Sequence, residues 1–241
     1  MDQMPKKPKP APLKDDLKYI KCATCQKMAG EAYRKVVEFY EEQPPDTPAR
    51  RRFEASGAAT LSERVELLLE EICNPENDGK KGASASGKWL RNYDIRKKSQ
   101  GGAATELELV NAGKGICRRE CYTIAKSCES LLSKLSDGED DLSEVLIKMV
   151  KERQSAGMVQ QRICTKLAGV CKKGKVPLWP EGKARKDEEF KPRDEKQDSI
   201  DDLLASLNKD APEGQALTSM SAGDLDLGGD DEEEEALKEE L

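Results

Sequence analysis

The sequence predicts an all-α domain of about five helices that is closed by disulfide bonds and followed by a disordered acidic tail. Apolar residues recur every three to four positions in several segments, as they do in amphipathic helices. Eight cysteines occur at paired spacings, two of them near each end of the helical region. The apolar fraction is 36% and the charged fraction 37%, so the core is thin and covalent cross-links contribute substantially.

Composition divides the 241 residues into three parts. Residues 1–16 are rich in proline and lysine and are predicted to be a disordered lead-in. Residues 17–180 hold the helical domain, with an insertion at 74–115. Residues 181–241 are predicted to be a disordered tail, in which 224–241 carry ten acidic residues and one basic residue, a net charge of −9.

The helical segments are delimited by apolar stripes and by turn residues. The predicted helices span about 15–42, 61–73, 117–135, 140–153 and 158–172. The second is expected to begin with a capping box in which Thr60 and Glu63 bond reciprocally. It is expected to end at Asn74-Pro75, because proline cannot continue a helix.

The insertion breaks the helical periodicity. Trp89–Ile95 and Glu106–Val110 are predicted to be extended, and leucine alternates with glutamate in the second of them. We therefore expect a small β-hairpin, or an irregular arm, with its tip at 97–104. Beyond the last helix, Trp179 lies between two prolines and is expected to dock back on the domain.

The first and last helices carry two cysteines each, which suggests a double cross-link. If these helices are antiparallel, the outermost cysteine of one pairs with the outermost cysteine of the other. This arrangement predicts the bonds Cys22–Cys171 and Cys25–Cys164.

The four remaining cysteines leave two arrangements open. Cys73 ends the second helix and needs a partner on the third. Cys117 and Cys128 cannot bond to each other within one regular helix, because eleven residues rise about 16 Å, whereas a disulfide joins Cα atoms at most about 7 Å apart. Cys73–Cys128 is favoured, with Cys117 and Cys121 paired in a local turn. The alternative, Cys73–Cys121, leaves two thiols without an obvious partner.

The residue types present bear on enzymatic function. The chain has no histidine, which removes any Ser-His or Cys-His catalytic arrangement. Cys22 and Cys25 have the spacing of a redox motif, but they fall within a helical pattern and have partners elsewhere, which favours a structural role. Zinc is the main alternative to disulfides, although Cys164 and Cys171, with six residues between them, do not have the usual ligand spacing. We expect no enzyme and no cofactor.

Four stretches together resemble a known family. They are Ile20–Lys27 (IKCATCQK), Leu67–Cys73 (LLLEEIC), Ser127–Leu131 (SCESL) and Ile163–Cys171. Over about residues 17–180 the chain resembles the saposin-like fold, and more specifically the canopy family of ER-resident saposin-like proteins, including its plant-type or algal-type members with eight cysteines. The resemblance implies six cysteines paired first to last, second to fifth and third to fourth. The additional cysteines beside the third helix depart from that pattern.

The resemblance implies a non-enzymatic folding factor or co-chaperone adaptor that binds secretory or membrane client proteins or other ER chaperones. Saposin-type lipid binding is an alternative, against which the 4% aromatic content and the high charge argue. Calcium buffering by the acidic tail is another, since clustered carboxylates attract Ca²⁺ weakly. No apolar run is long enough for stable membrane insertion. The one basic run, Arg50–Arg52, is interpreted as a solvated loop, and no nucleic-acid partner is expected.

Two features bear on localisation. An even number of paired cysteines favours an oxidising compartment. The last four residues, Lys238, Glu239, Glu240 and Leu241, are a variant of the ER retrieval signal. Together they predict the ER lumen. Because Met1–Pro12 has no apolar core of a signal peptide, this prediction requires that a leader was removed or lies outside this sequence.

Overall fold

The structure is a computed structural model that describes residues 9–42, 60–76, 86–98, 105–138, 140–174 and 176–194, together with 196, 200 and 203. The chain divides into two units, 1–193 and 194–241. The first is mostly helical, with a two-stranded antiparallel sheet and four disulfides, which confirms the coarse fold prediction. In the second, Ile200 and Leu203 have helical backbone, and the acidic run 224–241 lies outside the described residues.

Helix α1 (Leu17–Glu42) is the centre of the domain, because every other helix and one strand of the sheet pack against it. Its buried positions recur at helical spacing along 19–39. Small residues at the middle of this stripe, Ala29 and Ala32, let neighbouring helices approach closely, and both are almost fully buried.

The other helices follow in the predicted order. They are α2 (Leu61–Glu71), α3 (Arg119–Ser136), α4 (Leu142–Lys151) and α5 (Ala156–Gln160), which continues as a π-helical segment (Gln161–Leu167). The capping box predicted for α2 is present: Thr60 Oγ1 accepts from Glu63 N at 3.3 Å, and Glu63 Oε2 accepts from Thr60 N at 2.7 Å. The end of the last predicted helix differs, since 168–172 lie beyond the π-helical segment.

The insertion contains a hairpin that is shorter than predicted. Strand β1 (Tyr93–Lys97) pairs antiparallel with β2 (Leu107–Asn111), and Ile95 lies opposite Leu109. The prediction of extended structure from Trp89 was wrong, because Ser86–Asn92 form a 3₁₀ helix. Trp89 explains the difference: its ring is buried and its Nε1 donates to the Ile72 carbonyl at the end of α2 at 2.8 Å. The predicted tip lies largely outside the described residues.

Trp179 docks on the domain as predicted. It is 2% exposed, and its ring centroid lies 4.9 Å from that of Tyr19 on α1. Its backbone N donates to Thr105 O at 2.8 Å, so the segment after the last helix also bonds to the chain that precedes β2. This contact joins the hairpin to α1.

The ordered domain extends beyond both predicted boundaries. In the predicted lead-in, Leu13 is 6% exposed and its backbone N donates to Thr123 Oγ1 on α3 at 2.8 Å. In the predicted tail, the residues up to Arg193 follow the domain surface, and Ile116 N donates to Lys191 O at 3.0 Å. We call 181–193 the C-terminal strap. Its charged composition resembles that of a solvated tail, but its contacts hold it on the domain.

Candidate partner-binding groove

The eight cysteines form four disulfides. The bonds, with their Cα–Cα distances, are Cys22–Cys171 (4.9 Å), Cys25–Cys164 (5.7 Å), Cys73–Cys128 (5.5 Å) and Cys117–Cys121 (5.2 Å). They are the pairs that the sequence favoured. The first two tie α1 to the π-helical segment and to the turn after it, the third ties the end of α2 to α3, and the fourth closes the turn before α3. The predicted retrieval signal lies outside the described residues.

This pairing bears on the redox and zinc alternatives. Cys22 and Cys25 bond to distant cysteines rather than to each other, so the motif is not arranged as an exchangeable dithiol. All eight sulfurs are in disulfides, and a zinc site needs thiolates. Both cysteines of α1 therefore have a structural role in this state of the protein.

A groove of about 300 Å³ lies between α4 and the helical segment formed by α5 and its π-helical continuation. Val145 and Met149 are one turn apart on α4 and form one apolar side, and Met158 on α5 forms the other. Met158 is 51% exposed, whereas its neighbour Val159 is fully buried in the core. Met158 thus adds exposed apolar surface beside Val145 and Met149, which also pack in or against the core.

Positive charge lines the groove. Lys148 extends from α4, and Arg162 and Lys166 from the π-helical segment. Arg162 Nη2 pairs with Asp140 at 3.2 Å, while Lys148 and Lys166 have no ion-pair partner among the described residues. Among the described residues that line the groove, Glu152 alone is acidic. The side chains therefore present two unpaired ammonium groups beside an apolar floor.

The corner between the two walls is held in one conformation. Arg153 ends α4 in the left-handed region, with φ of 52°. Its N donates to Val150 O at 2.9 Å and Gln154 N donates to Met149 O at 3.0 Å, the two bonds of a Schellman motif. The Tyr33 hydroxyl on α1 donates to the Gln154 carbonyl. With the Cys25–Cys164 bond, these contacts make the groove a fixed feature of the domain.

Part of this site lies within a predicted element. Val145 and Met149 belong to the predicted apolar stripe of the fourth helix, and Met149, which is 9% exposed, is as buried as Leu142. The stripe therefore predicts packing in the core and does not by itself predict a second contact surface. Met158 carried no signal in the sequence, because it lies in a short helix whose orientation depends on the disulfide and on the Schellman motif.

A second cluster of charged side chains, which the sequence did not predict, lies under the C-terminal strap. Arg185 is 4% exposed and pairs with Asp16, Glu120 and Asp187. Burial, and a hydrogen bond with Asp94, raise the pKa of Glu120 to about 7. Arg185 and its three acidic partners all form ion pairs within the cluster, and the cluster attaches the strap to the domain.

No described helix is long and apolar enough to cross a membrane. Comparison of the chain with protein-family models, with curated proteins and with solved structures found no match. The groove is therefore interpreted from its own geometry and charge.

Proposed function

We propose that the protein is a non-enzymatic folding factor or co-chaperone adaptor of the ER lumen that binds secretory or membrane client proteins or other chaperones. The observation that carries the proposal is the open groove, with the exposed Met158 on one side, on a domain fixed by four disulfides. Methionine is flexible and polarisable, so a surface lined by it accommodates partners of different shape. The resemblance to the canopy family supports the same function.

The disulfides support a lumenal location, because such bonds persist in oxidising compartments and are rare in the cytosol. They also support an adaptor over a redox enzyme, since a catalytic dithiol must open and close. A preformed surface loses little conformational entropy on binding. A cross-linked scaffold of this kind suits a protein that acts by binding.

The proposal is tested by removing the protein from its host cells and following the maturation of secretory and membrane glycoproteins. We expect a subset to leave the ER more slowly, and re-expression of the full chain to restore their transit. Unchanged secretion and unchanged glycan maturation across the detectable glycoproteins would refute the function. Localisation is tested separately: removal of Lys238–Leu241, the predicted retrieval signal, should release the protein into the medium.

Two alternatives from the sequence make different predictions. In saposin-type lipid binding, a lipid would occupy the apolar floor of the same groove. Extraction of the purified protein, followed by analysis for bound lipid, tests this alternative. Calcium buffering would take the acids of 224–241, which lie outside the described residues, and calorimetric titration with Ca²⁺ tests it.

A further inference from the structure

We infer that the groove between α4 and α5 binds an amphipathic helix of a partner protein, with acidic residues of that helix beside its apolar stripe. This inference rests on the proposed function and names the chemistry of the partner. It follows from three properties of the groove: its shape, its floor and its charge.

The shape favours a helix over an extended peptide. Both walls are helical, so most of their backbone hydrogen-bonding groups are satisfied internally and offer no edge to which a strand could add. Helix α4 has ten residues, which corresponds to a length of about 15 Å. Two to three turns of a partner helix would lie along it, with apolar residues spaced three to four apart toward Met149 and Met158.

The charge favours an acidic partner. Lys148 and Lys166 carry ammonium groups with no ion-pair partner among the described residues, and they lie on opposite sides of the apolar floor. Acidic side chains on both borders of a docked helix would pair with them. Such pairs set orientation and exclude basic competitors, because like charges brought together are unfavourable.

The same residues disfavour other occupants. Lys148 and Lys166 border the groove with ammonium groups, and an acyl chain would offer them no counter-charge. A second copy of this chain, docked face to face about a two-fold axis, would bring its own Lys148 and Lys166 against those of the first copy, and like charges brought together are unfavourable. Lipid and self-association are therefore outcomes of the test that would overturn the inference.

The test is fluorescence anisotropy with the full chain and two labelled peptides of about 15 residues. Both peptides have leucines at helical spacing, and the flanking positions are glutamate in one and lysine in the other. We expect the acidic peptide to bind at least about tenfold more tightly than the basic peptide, with an affinity that falls as salt is raised.

Two groove variants and two matched controls locate the binding. Met158→Glu should weaken the binding of the acidic peptide by about tenfold or more. Leu67→Glu, at a residue on α2 that is 49% exposed, should change the affinity for that peptide less than about twofold. The double variant Lys148→Glu/Lys166→Glu should reverse the preference toward the basic peptide. Lys21→Glu/Lys173→Glu has the same charge change at exposed positions outside the groove and should preserve the preference.

Several results would overturn the inference. These are no binding of either peptide, equal binding of both, or equal losses in Met158→Glu and Leu67→Glu. Binding of phosphatidylserine vesicles that Met158→Glu abolishes would assign the groove to lipid, and self-association that it abolishes would assign the groove to a second copy. If Met158→Glu fully restores glycoprotein maturation, the groove inference fails while the proposed function stands. If the wild-type chain binds the acidic peptide but glycoprotein maturation is unchanged when the protein is removed, the groove inference stands and the proposed function fails.

Discussion

Arg185 Nε donates a 2.8 Å hydrogen bond to Asp16 Oδ2, joining two side chains that are 169 residues apart and at most 4% exposed. The same guanidinium bonds to Glu120 at the start of α3 and, at 2.5 Å, to the carbonyl of Ile95 in β1. One side chain of the C-terminal strap thus contacts the segment before α1, the hairpin and α3. A buried arginine with these partners fixes the relative positions of all three.

The first prediction concerns removal of that arginine. Arg185→Met keeps the length of the side chain but leaves the buried carboxylates of Asp16 and Glu120 without their cation. Breaking a buried pair in this way costs about 3–5 kcal/mol of the free energy of unfolding. We expect that loss in urea unfolding, with faster tryptic cleavage after Lys183. Lys186→Met, at an exposed neighbour, is the control and should leave both unchanged; equal loss in the two variants would show that Arg185 does not anchor the strap.

The second prediction concerns pH. The pKa of Glu120 is raised from 4.5 to about 7 in the folded protein, chiefly by burial. Between these values the folded state binds more protons than the unfolded state, so the free energy of unfolding falls as pH rises from about 4.5 to 7. The contribution is on the order of 3 kcal/mol at most.

Glu120→Gln should flatten this part of the stability profile, measured by urea unfolding from pH 4.5 to 7.5. Glu63→Gln is the control, because the hydrogen bonds from Thr60 lower the pKa of the Glu63 carboxyl. The stabilisation that the ionised Glu63 carboxylate provides is lost at acidic pH. Glu63→Gln should therefore still show a free energy of unfolding that falls as pH rises toward 7. A profile that is the same in wild type and Glu120→Gln would contradict the assignment.

The third prediction concerns a close backbone contact in the insertion. A Cβ at Gly87 would lie 1.7 Å from the carbonyl oxygen of Asn74, so Gly87→Ala must displace the 3₁₀ helix from the end of α2. We expect a loss of about 1–3 kcal/mol in the free energy of unfolding. Gly157→Ala in α5 is the matched control, because a Cβ there meets nothing within 4 Å, and it should be neutral or stabilising. Equal thermal midpoints for the two variants would contradict the contact.

The fourth prediction compares two disulfides. Cys73–Cys128 closes a loop with a sequence separation of 55, and Cys117–Cys121 one of only 4. In the chain-entropy account, longer loops restrict the unfolded state more, so the costs of removal are about 4 and about 2 kcal/mol. The double alanine variants of each pair, compared by urea unfolding, should differ in that order, and a reversed order would mean that native-state contacts of the short loop dominate.

The helices and cysteine pairs were predictable because their signals are local. Apolar periodicity fixes which residues of α1 and α3 point inward, and the positions of Cys22 and Cys25 then restrict their partners. The 3₁₀ helix at Trp89 was not predictable in this way, since Trp89 favours a strand and only its bond to Ile72 O and the tight fit of Gly87 decide otherwise.

The strap and the groove depend on contacts between distant parts of the chain. Arg185 lies in a run of alternating charges whose composition is typical of a solvated tail, and its buried partners Glu120 and Asp16 are 65 and 169 residues away in sequence. Met158 becomes one side of a groove because the Schellman motif at Arg153 and the Cys25–Cys164 bond position α5 beside α4. No window of neighbouring residues carries that information.

The most direct test of the account is non-reducing peptide mapping by mass spectrometry on protein from its native source, with free thiols alkylated before digestion. We expect all eight cysteines in the bonds Cys22–Cys171, Cys25–Cys164, Cys73–Cys128 and Cys117–Cys121, with the peptide that holds Cys22 and Cys25 linked to both Cys164 and Cys171, and no alkylated cysteine. That result would support both the scaffold that holds the groove and an oxidising compartment. Alkylated cysteines in the native protein would contradict both, and metal analysis for zinc would then show whether the thiols bind an ion.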